Sequence, residues 1–240
     1  PNLISQNMST RNNIIQTIIA LIAVCMTLLI GCKKKEAEIQ YPRNVDFYIR
    51  YLSDGNQFKS LCKVSFADSL AVGETDTTNY NITIGGKDMK QLVAPSGNKN
   101  YSLQTNLPYN SDYTINIANP QGKIITQATK LPGIDSVKTE KEISLSKGTT
   151  IEYSGKPLSA DETIIIMIIG KGSKSSSSTI QGPTTDNRLL LKPENLTMLE
   201  AGPVDLYLVR TFNQDAVNEN MNFYFRNEFF TKTYKINLVK

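Results

Sequence analysis

The sequence predicts an all-β protein in which two tandem β-sandwich domains follow an N-terminal signal segment. Apolar and polar residues alternate with a period of two in short runs, such as residues 45–51 and 113–117. Turn-forming residues, for example Gly85 and Gly86, separate these runs. Alternating runs between tight turns indicate antiparallel sheets with one buried face. The third observation is an uncharged apolar run over residues 14–30, which ends next to a cysteine.

The N-terminal apolar run fits a secretory signal better than a membrane-spanning helix. Arg11 provides a positively charged lead, and residues 14–30 carry no charge. A signal core needs about 7–15 apolar residues, whereas a spanning helix needs about 20. An uncleaved transmembrane helix stays open as the alternative, because Lys33–Lys35 follow at once and such lysines tend to stay cytoplasmic. Residues 1–7 precede Met8, the expected start of translation, and are interpreted as an upstream extension.

The end of the apolar run resembles the signal of bacterial lipoproteins. The family motif is [LVI]-[ASTVI]-[GAS]-Cys, and the matching residues are Leu29, Ile30, Gly31 and Cys32. In that family the cysteine thiol receives a diacylglycerol and the chain is cut just before it. The resemblance therefore implies a signal peptide over residues 1–31 and a membrane anchor of fatty chains, such as palmitate, on Cys32. Two or more acyl chains hold a protein stably on a bilayer.

Residues 32–43 are predicted to form a flexible, lipidated tether. Within it, Lys35–Glu38 resembles the surface-export signal of Bacteroidota lipoproteins, in which acidic residues follow a lysine soon after the lipidated cysteine. The resemblance implies a lipid-anchored protein of the outer membrane, with the cell surface favoured over the periplasmic face.

The first sandwich is predicted over residues 44–132, a length near the roughly 100 residues of an immunoglobulin-like domain. Cys62, Val64 and Phe66 fall on one face of an alternating run, so we expect a buried strand cysteine and not a nucleophile. The segment Asp112–Pro132 resembles the end of the first domain in uncharacterised Bacteroidota outer-membrane lipoproteins, which implies immunoglobulin-like or carboxypeptidase-regulatory-like β-sandwiches. Pro132-Gly133 marks the predicted boundary, because proline and glycine together favour a turn between units.

The second immunoglobulin-like sandwich is predicted over residues 133–240. Thr163–Ile169 is apolar on both faces and predicts a central strand that is too short to span a bilayer. Gly170–Ser178, rich in serine and glycine, predicts a flexible hairpin loop. Pro193–Leu199 predicts one short helix, since proline favours a first turn. Thr233–Val239 predicts a terminal strand docked in a sheet.

The composition argues against several classes of function. The chain contains no histidine, so Ser-His-Asp and Cys-His mechanisms are impossible and most zinc sites lose their commonest nitrogen ligand. The net charge of +4 shows no clustered basic face for nucleic acid. Asp161 and Glu162 would project to opposite faces of a strand and could not flank one bond. We expect no catalytic residue, no cofactor, no metal site and no nucleic-acid partner.

The densest aromatic stretch is Met221–Tyr234. One interpretation makes Tyr224, Phe229 and Phe230 a contact surface, because flat amphipathic rings bind sugars or protein surfaces at low entropic cost. The alternative is an ordinary hairpin in which Phe223 and Phe225 face the core.

Three tripeptides resemble the Asp-[Ser/Thr] acceptor pattern of the general O-glycosylation system of Bacteroidota. The acceptor residues implied by this resemblance are Ser69, Thr77 and Ser136.

These observations predict a lipid-anchored protein of the cell envelope that acts as a non-catalytic binding, adhesion or assembly module. Its expected partners are the membrane, through acylated Cys32, and an outer-membrane or surface protein. The alternative is an accessory glycan-binding component of an outer-membrane nutrient uptake system. A hydrolase with an all-carboxylate site is the third hypothesis.

Overall fold

A computed structural model describes residues 44–65, 79–92 and 99–240, which belong to one compact unit, Tyr41–Lys240. Nearly all regular structure in these residues is β-strand, and the only helical segments among them are two short 3-10 helices, Lys171–Ser173 and Pro193–Leu196. The predicted all-β sandwich fold is therefore confirmed. In the same residues, no helix has the length and apolar character needed to cross a membrane.

The described residues form seventeen strands. Those before residue 132 are β1 (Asn44–Leu52), β2 (Gln57–Ser65), β3 (Asn81–Ile84), β4 (Lys87–Asp88), β5 (Lys90–Leu92), β6 (Lys99–Asn106), β7 (Asp112–Ala118) and β8 (Ile124–Lys130). Those that follow are β9 (Val137–Lys138), β10 (Glu142–Ser144), β11 (Thr149–Tyr153), β12 (Glu162–Ile169), β13 (Ser175–Gln181), β14 (Arg188–Leu191), β15 (Gly202–Asn218), β16 (Met221–Phe230) and β17 (Tyr234–Val239).

The first sandwich pairs a large sheet with a smaller one. The large sheet contributes the strands β15-β16-β1-β2-β6-β5 of its ten, and the smaller sheet has the order β4-β3-β7-β8. Alternation directs Val45 and Phe47 of β1 into the core, where both side chains are buried. Across the sandwich, the rings of Phe58 and Tyr113 lie 5.0 Å apart between centroids. The burial of apolar area between the sheets is the main force that stabilises them.

The second sandwich is built around β12, which pairs with β13 on one side and β15 on the other. The two neighbours of β12 confirm the predicted central strand, in which Ile164, Ile166 and Ile168 are buried while the opposite face is only partly covered. The sheet of β14, β11 and β9 adds Ile151 and Leu189 to the same hydrophobic core.

β15 joins the two sandwiches, because its 17 residues extend for more than about 50 Å. Gly202–Leu206 pairs with β17, and Val209–Asn218 pairs with β16. β16 then pairs in parallel with β1 over nine residue pairs. One sheet therefore contains strands from both sides of the boundary predicted after residue 132, while the domain limits themselves stay a prediction.

The hairpin of β15 and β16 also covers the exposed edge of β8. Side-chain amides of the hairpin donate hydrogen bonds to backbone carbonyls of alternate β8 residues, at 2.6–3.3 Å. The pairs are Asn218 with Thr126, Gln214 with Ala128, and Asn227 with Lys130. These hydrogen bonds occupy carbonyls that an open strand edge would otherwise offer to another chain.

Two local predictions need correction or refinement. The serine-rich segment predicted as a loop over Gly170–Ser178 contains only a short turn, and Ser175–Gln181 forms strand β13. Pairing with the apolar strand β12 overrides the weak strand propensity of serine. The short helix predicted over Pro193–Leu199 is present as a 3-10 helix over Pro193–Leu196.

Candidate binding groove

A groove of about 650 Å³ lies on the outward face of the large sheet of the first sandwich. Its lining residues come from β1, β2, β5, β6, β15 and β16. Since Val45 and Phe47 point into the core, alternation directs Asp46 and Tyr48 outward into the groove. The volume lies within the range of about 300–1,000 Å³ that is usual for ligand pockets.

One line of five side chains crosses the groove from β15 to β6. Tyr224 of β16 lies in register with Asp215 on one side and Asp46 on the other. Asp46 is paired in turn with Lys63, and Lys63 with Asn100. We call Asp215, Tyr224, Asp46, Lys63 and Asn100 the groove row. Asp46, Asp215 and Lys63 are exposed, and none of the ion pairs between described residues uses them.

Beside the groove row, Tyr48, Arg226 and Glu228 form a hydrogen-bonded cluster. The Tyr48 hydroxyl donates to Glu228 Oε2 at 2.5 Å, and the Arg226 Nε donates to Glu228 Oε1 at 3.0 Å. Burial, followed by the hydrogen bond to the Glu228 carboxylate, raises the pKa of Tyr48 to about 12. The phenol is therefore a neutral donor at physiological pH, and it helps hold Arg226 beside the groove row.

The three residues predicted as an aromatic contact surface lie in different surroundings. Tyr224 is 41% exposed and lines the groove. Phe229 is only 4% exposed and stacks on Tyr51 with ring centroids 5.7 Å apart, so its ring belongs to the core. Phe230 is half-buried, with the Arg50 guanidinium 4.2 Å above its ring. Only Tyr224 of the three offers its ring to a ligand in the groove.

The remaining sites predicted from sequence divide into those that the structure describes and those that it does not. Ser136 is exposed, and its amide donates to the hydroxyl of Ser154 at 2.7 Å. Cys62 is buried, and burial raises the pKa of its thiol well above the usual value, which makes it a poor nucleophile. Outside the described residues lie Leu29, Ile30, Gly31, Cys32, Ser69 and Thr77.

The carboxylates of the groove do not form a typical acid–base pair. Asp46 and Asp215 lie two strands apart, about 10 Å between Cα atoms, and both are exposed. A general acid of a glycosidase is usually held in apolar surroundings that keep it protonated. In the described parts of the chain, no group of three or more Cys, Asp or Glu residues is arranged to hold a metal ion.

A buried ion pair lies away from the groove, where the two sandwiches meet along β15. Arg210 donates to Glu162 at 2.9 and 3.1 Å, and both residues are at most 5% exposed. Arg210 also donates to the carbonyl of Gly133 at 3.3 Å and to that of Lys156 at 3.4 Å. Asp161 lies in the turn before β12 and is exposed, whereas Glu162, the first residue of β12, is buried. This carboxylate is used for structure.

Neither a protein-family model nor a curated protein matches the sequence. Among solved structures, the FN1–FN3 domains of chicken CNTN1 align with 14% identity over 84% of this chain and 66% of theirs, at a TM-score of 0.28. A segment of two fibronectin type III domains from chicken tenascin aligns with 15% identity over 83% of this chain and 99% of its own, at a TM-score of 0.29. The SGBP-B protein of Bacteroides ovatus, in complex with a mixed-linkage heptasaccharide, aligns with 11% identity over 73% of this chain and 53% of its own, at a TM-score of 0.19. These alignments establish no shared function.

Proposed function

We propose that this protein is a non-catalytic binding or adhesion module of the cell envelope, anchored by lipid on Cys32, with the groove as its contact surface. The groove row carries this proposal. It brings an aromatic ring, two carboxylates, an amine and an amide onto one open sheet face. Ligand sites combine apolar surface with a few positioned polar groups, and strands hold such groups more rigidly than loops do.

The groove itself is tested by photo-crosslinking in the bacterium that produces the protein. A photoreactive amino acid replaces Lys63 in the groove or, as a control, Leu190, which is 56% exposed on β14. The proposal expects adducts from position 63 and none from position 190. Tyr224→Ala should lower the yield at position 63. Equal adducts at both positions, or none at position 63, would contradict it.

The lipid anchor is supported by the motif Leu29–Cys32 and is tested separately. Cells grown with a fatty acid that carries a terminal alkyne should label the processed protein, which begins at Cys32, and Cys32→Ser should remove the label. Cys62→Ser is the matched control, because its buried thiol should not be acylated. A label that survives Cys32→Ser would overturn the anchor and the outer-membrane location proposed with it.

An accessory glycan-binding component of an outer-membrane uptake system is the second candidate. The observation that favours it is the exposed Tyr224 ring between two carboxylates, an arrangement that suits the apolar face and the hydroxyls of a sugar. Deletion of the gene should slow growth on one polysaccharide and leave growth on its monosaccharide unchanged. Equal growth on every polysaccharide tried would exclude this role.

We also propose O-glycosylation of Ser69, Thr77 and Ser136. The exposure of Ser136 supports modification at that position. The mass of the native protein should exceed that of the lipidated polypeptide, and Ser136→Ala should reduce the excess by one glycan. A native mass equal to the lipidated polypeptide would rule it out.

A further inference from the structure

We infer, on the basis that the groove is the contact surface, that its ligand is a neutral, extended polysaccharide chain. The chain lies across the strands, with about one sugar residue over each strand of the groove row. Register, charge and the exposed ring of Tyr224 each support this assignment.

The register supplies a periodic template. The groove row places one outward side chain on each of five adjacent strands, in direct register from Asp215 to Asn100. Neighbouring strands lie about 4.8 Å apart, so the row extends for about 19 Å. The repeat of an extended pyranose chain is close to one strand spacing. Sheet twist turns successive side chains by about 20–25°, which a chain with rotatable glycosidic bonds can follow.

The charges of the groove favour an uncharged ligand. Two carboxylates, Asp215 and Asp46, flank Tyr224, and they would repel a polyanion. Lys63 and the exposed guanidinium of Arg226 lie beside them and would repel a polycation. Sugar hydroxyls donate to carboxylates and accept from ammonium or guanidinium groups. One neutral chain can therefore form hydrogen bonds with both the acidic and the basic side chains of the groove.

The direction of the row disfavours an extended peptide. A peptide that gains affinity from a sheet runs along an edge strand, where its backbone pairs with free N–H and C=O groups. Across the face of this sheet, the backbone of a peptide would meet side chains at the strand spacing and leave many of its own groups unpaired. A sugar chain has no such backbone requirement.

Tyr224 and Arg226 anchor the chain at the β16 side of the groove. The Tyr224 ring can pack against the C–H face of a sugar while Asp46 and Asp215 accept from its hydroxyls. Glu228 and Tyr48 fix Arg226 in advance, which lowers the entropy lost on binding.

Affinity electrophoresis of the native protein, solubilised in a neutral detergent, tests the inference. The gels contain a glucan, a galactomannan, an arabinan or a mannan as neutral probes, and polygalacturonate as the anionic probe. We expect at least one neutral chain to retard the protein, with the same affinity in 1 M NaCl, because an uncharged ligand makes no long-range ionic contacts. Tyr224→Ala and Asp46→Ala should each weaken binding by about tenfold or more, while Leu190→Ala should not change it.

The affinity for oligosaccharides of that polymer should rise with length up to about five sugars, one for each strand of the row, and then level off. No retardation by any neutral probe, binding only to polygalacturonate, or binding unchanged by Tyr224→Ala would overturn the assignment. If crosslinks from position 63 capture a protein while no neutral polysaccharide binds, the groove remains the contact surface and the ligand class is wrong. If neither crosslinks nor retardation are found, the proposed function fails as well.

Discussion

Replacing Arg210 with methionine is expected to destabilise the folded protein by about 3–5 kcal/mol, because it leaves the Glu162 carboxylate buried without its partner. Both residues are at most 5% exposed, and they are joined by two contacts of 2.9 and 3.1 Å. The substitution also removes two donors from the carbonyls of Gly133 and Lys156. After Arg210→Met, Glu162 keeps the amide of Ser159 as a donor, at 2.7 Å, which is too little to replace a cation.

The double variant Arg210→Met/Glu162→Leu removes both charges. Its loss of stability should therefore be at least about 2 kcal/mol smaller than the sum of the two single losses. Urea denaturation followed by fluorescence or circular dichroism gives each free energy of unfolding. Lys138→Met is the control, because Lys138 and Glu152 form an exposed pair at 3.7 Å and its loss should cost less than about 1 kcal/mol. If the loss of stability in the double variant equals the sum of the two single losses to within about 0.5 kcal/mol, the two residues are not coupled and the reasoning is refuted.

Three further expectations concern buried rings and the buried thiol. Phe229→Ala should cost about 3–5 kcal/mol in urea denaturation, whereas Tyr224→Ala should stay within about 0.5 kcal/mol; similar losses would contradict their different burial. Burial raises the pKa of Tyr113, which is 4% exposed, from 10.0 to about 12. Tyr113 therefore ionises at a lower pH in the unfolded chain than in the folded protein. Its contribution to the free energy of unfolding should be fully present below pH 10 and should be lost as the pH rises towards 12; a free energy of unfolding that stays constant over that interval would contradict this. Cys62 should react with a maleimide only after unfolding, and rapid labelling of the native protein would show that its thiol is accessible.

The individual strands could be predicted because the order of apolar and polar residues within each strand reflects which of its faces is buried. Val45 and Phe47 alternate with Asp46 because β1 has a core face and a solvent face. Alternation fails in β16, where Asn227, Glu228 and Phe229 are all buried. There, outward Glu228 is covered by its hydrogen bond with Tyr48, while Asn227 bonds to β8, so both faces are enclosed.

The pairing of strands could not be predicted from the sequence. Asp46 and Tyr224 are neighbours in the groove row although 178 positions separate them, and nothing in their local sequences records the partner. The aromatic stretch drew attention to Tyr224, but its polar neighbours Asp46, Lys63 and Asn100 look like ordinary outward strand residues. Only the register reveals that they form one surface, which is why the candidate site could be predicted only in part.

The parallel pairing of β1 with β16 has a mechanical consequence. A pull transmitted through the chain that precedes Asn44 enters the fold at one end of β1, which has nine residue pairs with β16 and nine with β2. A force directed along this strand would load both ladders in shear, where their hydrogen bonds break together and not one at a time. Under such a force, hydrogen bonds to both neighbouring strands would resist the extraction of β1, the strand that carries Asp46 of the groove row.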